Sequence, residues 1–99
     1  MPVSYQLTNQ AVADLASIWE YSANQWGIAQ AERYVRLIDQ ACQALGAGRL
    51  QGQSAEAIRS GYHKYVIGQH LLFYRHQGSN PLLIVRILHQ RMDAARHLE

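Results

Sequence analysis

The spacing of apolar residues changes once along this chain, near its middle, and the change constrains the fold more than any motif does. Before Gly46 apolar side chains recur every three or four residues. After Gly61 they alternate or run together in β-branched and aromatic stretches. A chain divided in this way predicts a helical half that covers a sheet-forming half, because an amphipathic helix and a half-buried strand each need a partner layer.

The local signals refine this picture. Val3 to Leu7 alternate apolar and polar residues and predict a first strand. Thr8, a favoured N-cap, precedes a run whose apolar members Val12, Leu15, Ile18 and Trp19 share one helical face, predicting a helix from Asn9 to Gln25 with Trp19 in the core. Gly27 interrupts the pattern. A second face, comprising Ala31, Tyr34, Val35, Ile38, Ala41, Cys42 and Leu45, then continues until Gly46 and Gly48 end it, so the two helices form an antiparallel hairpin. Gly46 to Ile58 has no sustained period and reads as a loop. Tyr62 to Ile67, His70 to His76 and Leu82 to His89 read as three strands, separated by Gly68-Gln69 and by Gln77 to Pro81. The order β-α-α-β-β-β predicts an α+β fold. In it the N-terminal helical hairpin packs on one face of a mainly antiparallel sheet and the other face stays open. Ninety-nine residues suffice for one domain, spanning 1–99, in which roughly two thirds of the unfolded surface is buried.

Composition excludes several function classes. The one cysteine, Cys42, cannot close an internal disulfide and falls among apolar residues, as a small buried hydrophobe would. The N-terminus lacks the features of a secretory leader, and no apolar run reaches the roughly 20 residues of a membrane span, so a cytoplasmic, non-membrane protein is expected. His63, His70, His76, His89 and His97 do not fall at metal-ligand spacings, and Gly46-Ala-Gly48 lacks the rest of a phosphate loop, so neither a metal nor another cofactor is expected.

The charge is unevenly distributed. Residues 1–58 hold three arginines against five acids, a net −2, whereas 59–99 hold six Arg and Lys against two acids, a net +4. That second half points to an acidic partner, whether nucleic acid, nucleoprotein or an acidic protein segment.

Several stretches carry a family resemblance. Tyr5-Gln-Leu-Thr8, Ala13-Asp-Leu15, Ile18-Trp-Glu-Tyr21 and Gln25-Trp-Gly27, with Gln30-Ala31 and Tyr34, resemble the helical hairpin of ParE toxins. Arg59-Ser-Gly-Tyr62, Gly68-Gln-His70, Phe73-Tyr-Arg75, Val85 to Asp93 and Arg96-His-Leu98 are similar to the ParE signature in the second half. The resemblance covers almost the whole chain within the ParE/RelE superfamily. It implies the toxin of a type II toxin–antitoxin pair, acting on DNA gyrase by protein binding and neutralised by a ParD-like antitoxin. His89, Arg91, Met92 and Asp93 are then the expected target contact, with no chemistry of their own and no sequence-specific nucleic-acid binding. The antitoxin's seat is unassigned, although a free sheet edge and the groove beside the helical hairpin are both suited to a peptide. Self-association through the helices and a toxin–antitoxin hetero-oligomer both stay open.

Two alternatives stand beside this one. RelE relatives cut messenger RNA on the ribosome, which needs a proton acceptor and cations at the phosphate. For that reading the candidates are His89 with Arg59, Lys64, Arg75, Arg86 and Arg91. Arg86 also has a bland reading, as a partly buried partner of Asp14 or Asp93. The other alternative is a non-toxic interaction module that has kept the fold.

Overall fold

The computed structural model describes residues 4–98. Thr8 caps the first helix as its position suggests: its Oγ1 accepts from the backbone N–H of Ala11 at 3.0 Å and donates to the Val85 carbonyl at 2.7 Å, tying the helix start to a distant strand. Helix α1 spans Asn9–Trp26 and α2 spans Ile28–Gly46. Between them stands only Gly27, whose φ of 94° lies where an L side chain is strained, so one residue turns the chain.

The remaining elements are β1 (Tyr5–Leu7), β2 (Gln53–Ser54), β3 (His63–Ile67), β4 (His70–Arg75), β5 (Leu82–His89) and a short α3 (Ala94–His97). They confirm the α+β class and correct it in detail. The five strands lie in the order β1-β5-β4-β3-β2, antiparallel except where β1 runs parallel to β5. The stretch expected to be a plain loop contains β2, a two-residue bridge to His63 and Lys64 too short to show a period. Helix α3 was not foreseen either, although its N-cap, Asp93, is a strong helix-start residue and accepts from the N–H of Ala95. The first part of the predicted Val3–Leu7 strand lies outside the described residues; Tyr5–Leu7 is strand.

The main core lies between the helices and the sheet and joins Ile18, Ile38, Cys42 and Leu45 to Leu72, Tyr74, Ile84 and Ile87. The opposite face is not open, contrary to expectation. Ala55, Tyr62, Phe73, Leu88 and the C-terminal Leu98 form a second buried cluster there. Alternation along β4 explains both layers, since Leu72 and Tyr74 face one way and Phe73 the other. Cys42 is buried as expected, and burial, with Asp39 nearby, pushes its thiol up to about 12, out of the range of a reactive thiolate.

The core of α1 is narrower than the apolar spacing suggests. Ala11, Ile18 and Ser22 are its buried residues, whereas Val12 is 52% and Trp19 36% exposed. Both lie one residue, about 100° of turn, beyond Ala11 and Ile18. Small residues, Ala11 and Ser22, hold two of the three buried positions of α1, and the bulkier Val12 and Trp19 stand on the flank.

Candidate functional site

Strand β1 pairs with β5 only through Ile84, so the second half of β5 has no strand on that side. Helix α1 fills the gap with Asp14. Its Oδ2 accepts from the backbone N–H of Ile87 at 3.0 Å and from Arg86 Nε at 2.8 Å, while Oδ1 accepts from Arg86 Nη2 at 2.9 Å. Of the two bland pairings considered for Arg86, the structure selects Asp14. The guanidinium's remaining donor, Nη1, reaches the His97 carbonyl at 3.2 Å, and hydrogen bonding to Asp14 raises the arginine's pKa further. Register slips between Phe73 and Tyr74 leave Val85 unmatched, a bulge beside this junction.

Beyond the junction, β5 ends at His89, and a turn closed by Met92 N–H donating to the His89 carbonyl leads into α3. His89 stands directly opposite His70 of β4, their rings 5.4 Å apart and near perpendicular. Across from this pair the tip of the helical hairpin stands off the sheet. Between them runs a groove of about 780 Å³ lined by Ile18, Tyr21, Trp26, Tyr34, His70, His89 and Met92, among others. Its rims expose large apolar side chains: Trp26 is 63%, Tyr21 61% and Met92 48% exposed. Tyr21 and Trp26 pack edge to face with ring centroids 6.1 Å apart. Its exposure leaves the Trp26 indole, beside the Gly27 turn, available as an anchor for a partner.

The floor of the groove is held by a close approach. Gly68, with φ of 56°, turns β3 into β4 against Tyr34, and a Cβ there would sit 2.6 Å from the Tyr34 hydroxyl. Gly68→Ala will therefore lower stability by about 2 kcal/mol, combining the left-handed backbone with overpacking. A denaturant titration measures it, and a cost below about 0.5 kcal/mol would show that Tyr34 swings away freely.

The four residues expected to contact a target are brought together, but they differ in role. His89 and Met92 line the groove, Arg91 is exposed on the turn, and Asp93 is occupied as the α3 cap and as a 3.6 Å partner of Arg96. The cations proposed for a ribonuclease do not converge. Arg75 stands at the far end of β4, roughly 17 Å from His70 at the usual strand rise, and Arg86 is bound to Asp14. Arg59 donates to the Leu98 carbonyl at 3.0 Å and lies over the Tyr62 ring, holding the C-terminal segment. Lys64 is half-buried on β3, on the opposite side of β4 from His89.

His89 is also poorly placed as a base. Its Nδ1 accepts from the Arg91 backbone N–H at 3.1 Å, which puts its proton on Nε2, 3.2 Å from Gln69 Oε1. Neither nitrogen has a lone pair free for a substrate. Among the described residues no three His, Cys, Asp or Glu side chains gather as a metal site requires, and no helix is long and apolar enough to cross a membrane.

Sequence reasoning missed Tyr21, Tyr34, Gln69 and His70 as site residues. Only the direct pairing of His70 with His89 and the packing of Tyr34 on Gly68 reveal them, and neither pairing is visible in the spacing of residues along the chain.

Comparison with known proteins agrees with this geometry. A family model described as ParE toxin of type II toxin–antitoxin system, parDE, matches residues 5–94. Toxin ParE1 of Mycobacterium tuberculosis (strain CDC 1551 / Oshkosh) is 41% identical over 98 residues, covering 99% of this chain and all of that one. Toxin ParE1 of Caulobacter vibrioides is 38% identical over 94 residues, covering 95% and 96% of the two chains. A solved chain of the chromosomal ParDE TA system from P. aeruginosa shares the fold, with a TM-score of 0.75 over 88% of this chain and 95% of that one at 23% identity.

Proposed function

Because the chain belongs to the ParE toxin family of type II toxin–antitoxin systems, we propose that it poisons DNA gyrase by binding and is neutralised by a ParD-like antitoxin seated in the groove. The observation that carries this reading is the groove itself. An apolar trough between a helical hairpin and a strand end, rimmed by Trp26, Tyr21 and Met92, has the chemistry that accepts the apolar face of a helix or extended segment.

The turn His89 to Asp93 supplies the target contact. It projects from the end of β5 on a rigid base, because the Asp14–Arg86 pair fixes the strand behind it. Arg91 and Met92 are its free side chains. His89 shapes the turn through the Arg91 N–H, and Asp93 starts α3. A toxin working through this patch does no chemistry of its own. Met92 belongs both to the turn and to the groove wall, so an antitoxin in the groove covers part of the surface that meets gyrase.

The test is a supercoiling assay with purified gyrase and relaxed plasmid, with and without ATP, reading both lost supercoiling and trapped cleaved DNA. Inhibition or trapped cleavage at stoichiometric toxin, reversed by antitoxin, is expected. Folded toxin in excess with no effect on gyrase would overturn the target, and ribosome-dependent messenger cleavage would then be assayed.

A further inference from the structure

One side chain in the groove is hydrogen-bonded on one side only. His70 Nδ1 lies 2.6 Å from the Tyr34 hydroxyl, and that hydroxyl also lies 3.2 Å from the Ile67 carbonyl. His70 Nε2 has no hydrogen-bond partner among the described residues, and His70 lines the groove.

This arrangement accommodates an added proton without moving a heavy atom. In the neutral ring the Tyr34 hydroxyl can donate to Nδ1. In the imidazolium, Nδ1–H donates to Tyr34 and the hydroxyl turns its own proton to Ile67, within reach in the same geometry. Nε2–H is then a charge-assisted donor aimed at whatever fills the groove. His89 cannot take this part, since protonating its Nδ1 would break the bond from the Arg91 N–H.

The titratable and charged groups around His70 are few. Helix α1 contributes Asp14 and Tyr21 to the groove, α2 contributes Tyr34, and β5 contributes His89, with Arg91 following on the turn. Asp14 is the only acid among the groove's lining residues, and its oxygens are taken by Arg86 and the Ile87 N–H. The groove therefore offers apolar surface and donors but no free carboxylate, which suits an apolar segment carrying an acid.

We propose that His70 is a specificity-determining residue that recognises a carboxylate on the antitoxin segment and takes up a proton as it does so. This rests on the groove being the antitoxin's seat. Burial, chiefly, and the neighbouring His89 hold the free imidazole below its ordinary value, so the free toxin carries it neutral at neutral pH. A carboxylate beside Nε2 raises it in the complex. Affinity then increases as pH falls through the raised value of the complex, and the gain is complete below the lowered value of the free toxin.

The experiment uses intact toxin and its purified cognate antitoxin. Calorimetric titrations between about pH 8 and about pH 5.5, which span the imidazole range, are run in two buffers of different ionisation enthalpy. Net proton uptake and roughly tenfold tighter binding at the acid end are expected, one unit of pKa difference being tenfold. His70→Gln should abolish the uptake, and imidazole resonances of unmodified toxin should show His70 titrating at higher pH in the complex than alone. Binding without proton uptake, or an unchanged His70 titration in the complex, overturns the role of the histidine and leaves the groove reading standing. Absence of binding, or binding that leaves the groove resonances unmoved, overturns both.

Discussion

Asp14→Ala will lower the midpoint of thermal unfolding by roughly 12 to 24 °C, the largest loss expected of any single substitution on α1 that leaves the apolar core intact. Both members of the Asp14–Arg86 pair have side chains only 15% exposed, and the carboxylate also takes the backbone N–H of Ile87. Removing it strands a guanidinium and an amide at once. Breaking a buried pair from one side costs about 3 kcal/mol or more, and each kcal/mol is worth roughly 4 to 8 °C in a domain of this size. Asp14→Leu combined with Arg86→Met should recover much of the loss, because well-packed apolar replacements remove the stranded charge. A fall under about 3 °C for Asp14→Ala would mean that the pair is solvated like a surface bridge, which contributes little. Calorimetry on the parent and the two variants settles the sign and the size.

The same residue marks the limit of what the sequence discloses. Arg86 stands out as a charge inside an apolar strand, and Asp14 is one of its two candidate partners on sight. What the sequence does not carry is the register that sets Leu7 opposite Ile84, so that β1 stops short of Ile87 and leaves its amide to an acid on α1. The two helices and three long strands are legible because each spans several periods, so that Gly27, Gly46 and Gly68 punctuate clear patterns. β2 and α3 are too short for periodicity and follow from tertiary contacts, with Leu98 drawn into the cluster around Phe73. Trp19 illustrates a different limit. Spacing identifies the buried side of a helix but not its width, and on α1 the buried positions fall on Ala11, Ile18 and Ser22, leaving Trp19 at the flank. The site is legible only in part for a related reason. His89 and Met92 belong to one continuous segment, whereas Trp26, Tyr34 and His70 join them only through strand register and the angle of the hairpin.

Trp26→Ala and Met92→Ala should behave differently, and the difference separates the two surfaces proposed for this toxin. Trp26 sits on the hairpin wall of the groove and is 63% exposed, so its loss removes little from the folded core. Its midpoint of unfolding should move by no more than about 2 °C, as for other surface changes. A solvent-exposed indole that becomes buried against a partner is the commonest kind of hot spot, worth 2 kcal/mol or more, which is a loss in antitoxin affinity of at least about 30-fold. Gyrase inhibition by Trp26→Ala should stay within about threefold of the parent, because the turn proposed to meet the target follows β5 and does not include the hairpin tip. Met92 is shared between turn and groove, so Met92→Ala should weaken antitoxin binding and gyrase inhibition together. Thioether packing is softer than indole packing, and a drop of about fivefold to tenfold in each is expected. Paired measurements, calorimetric titration with antitoxin and a supercoiling dose series, distinguish the outcomes. If Trp26→Ala abolishes gyrase inhibition as well, the groove itself is the target contact, and the antitoxin neutralises by full competition for one surface. If Met92→Ala affects neither, the turn is a structural connection between β5 and α3, and the target contact lies elsewhere on the basic half of the chain.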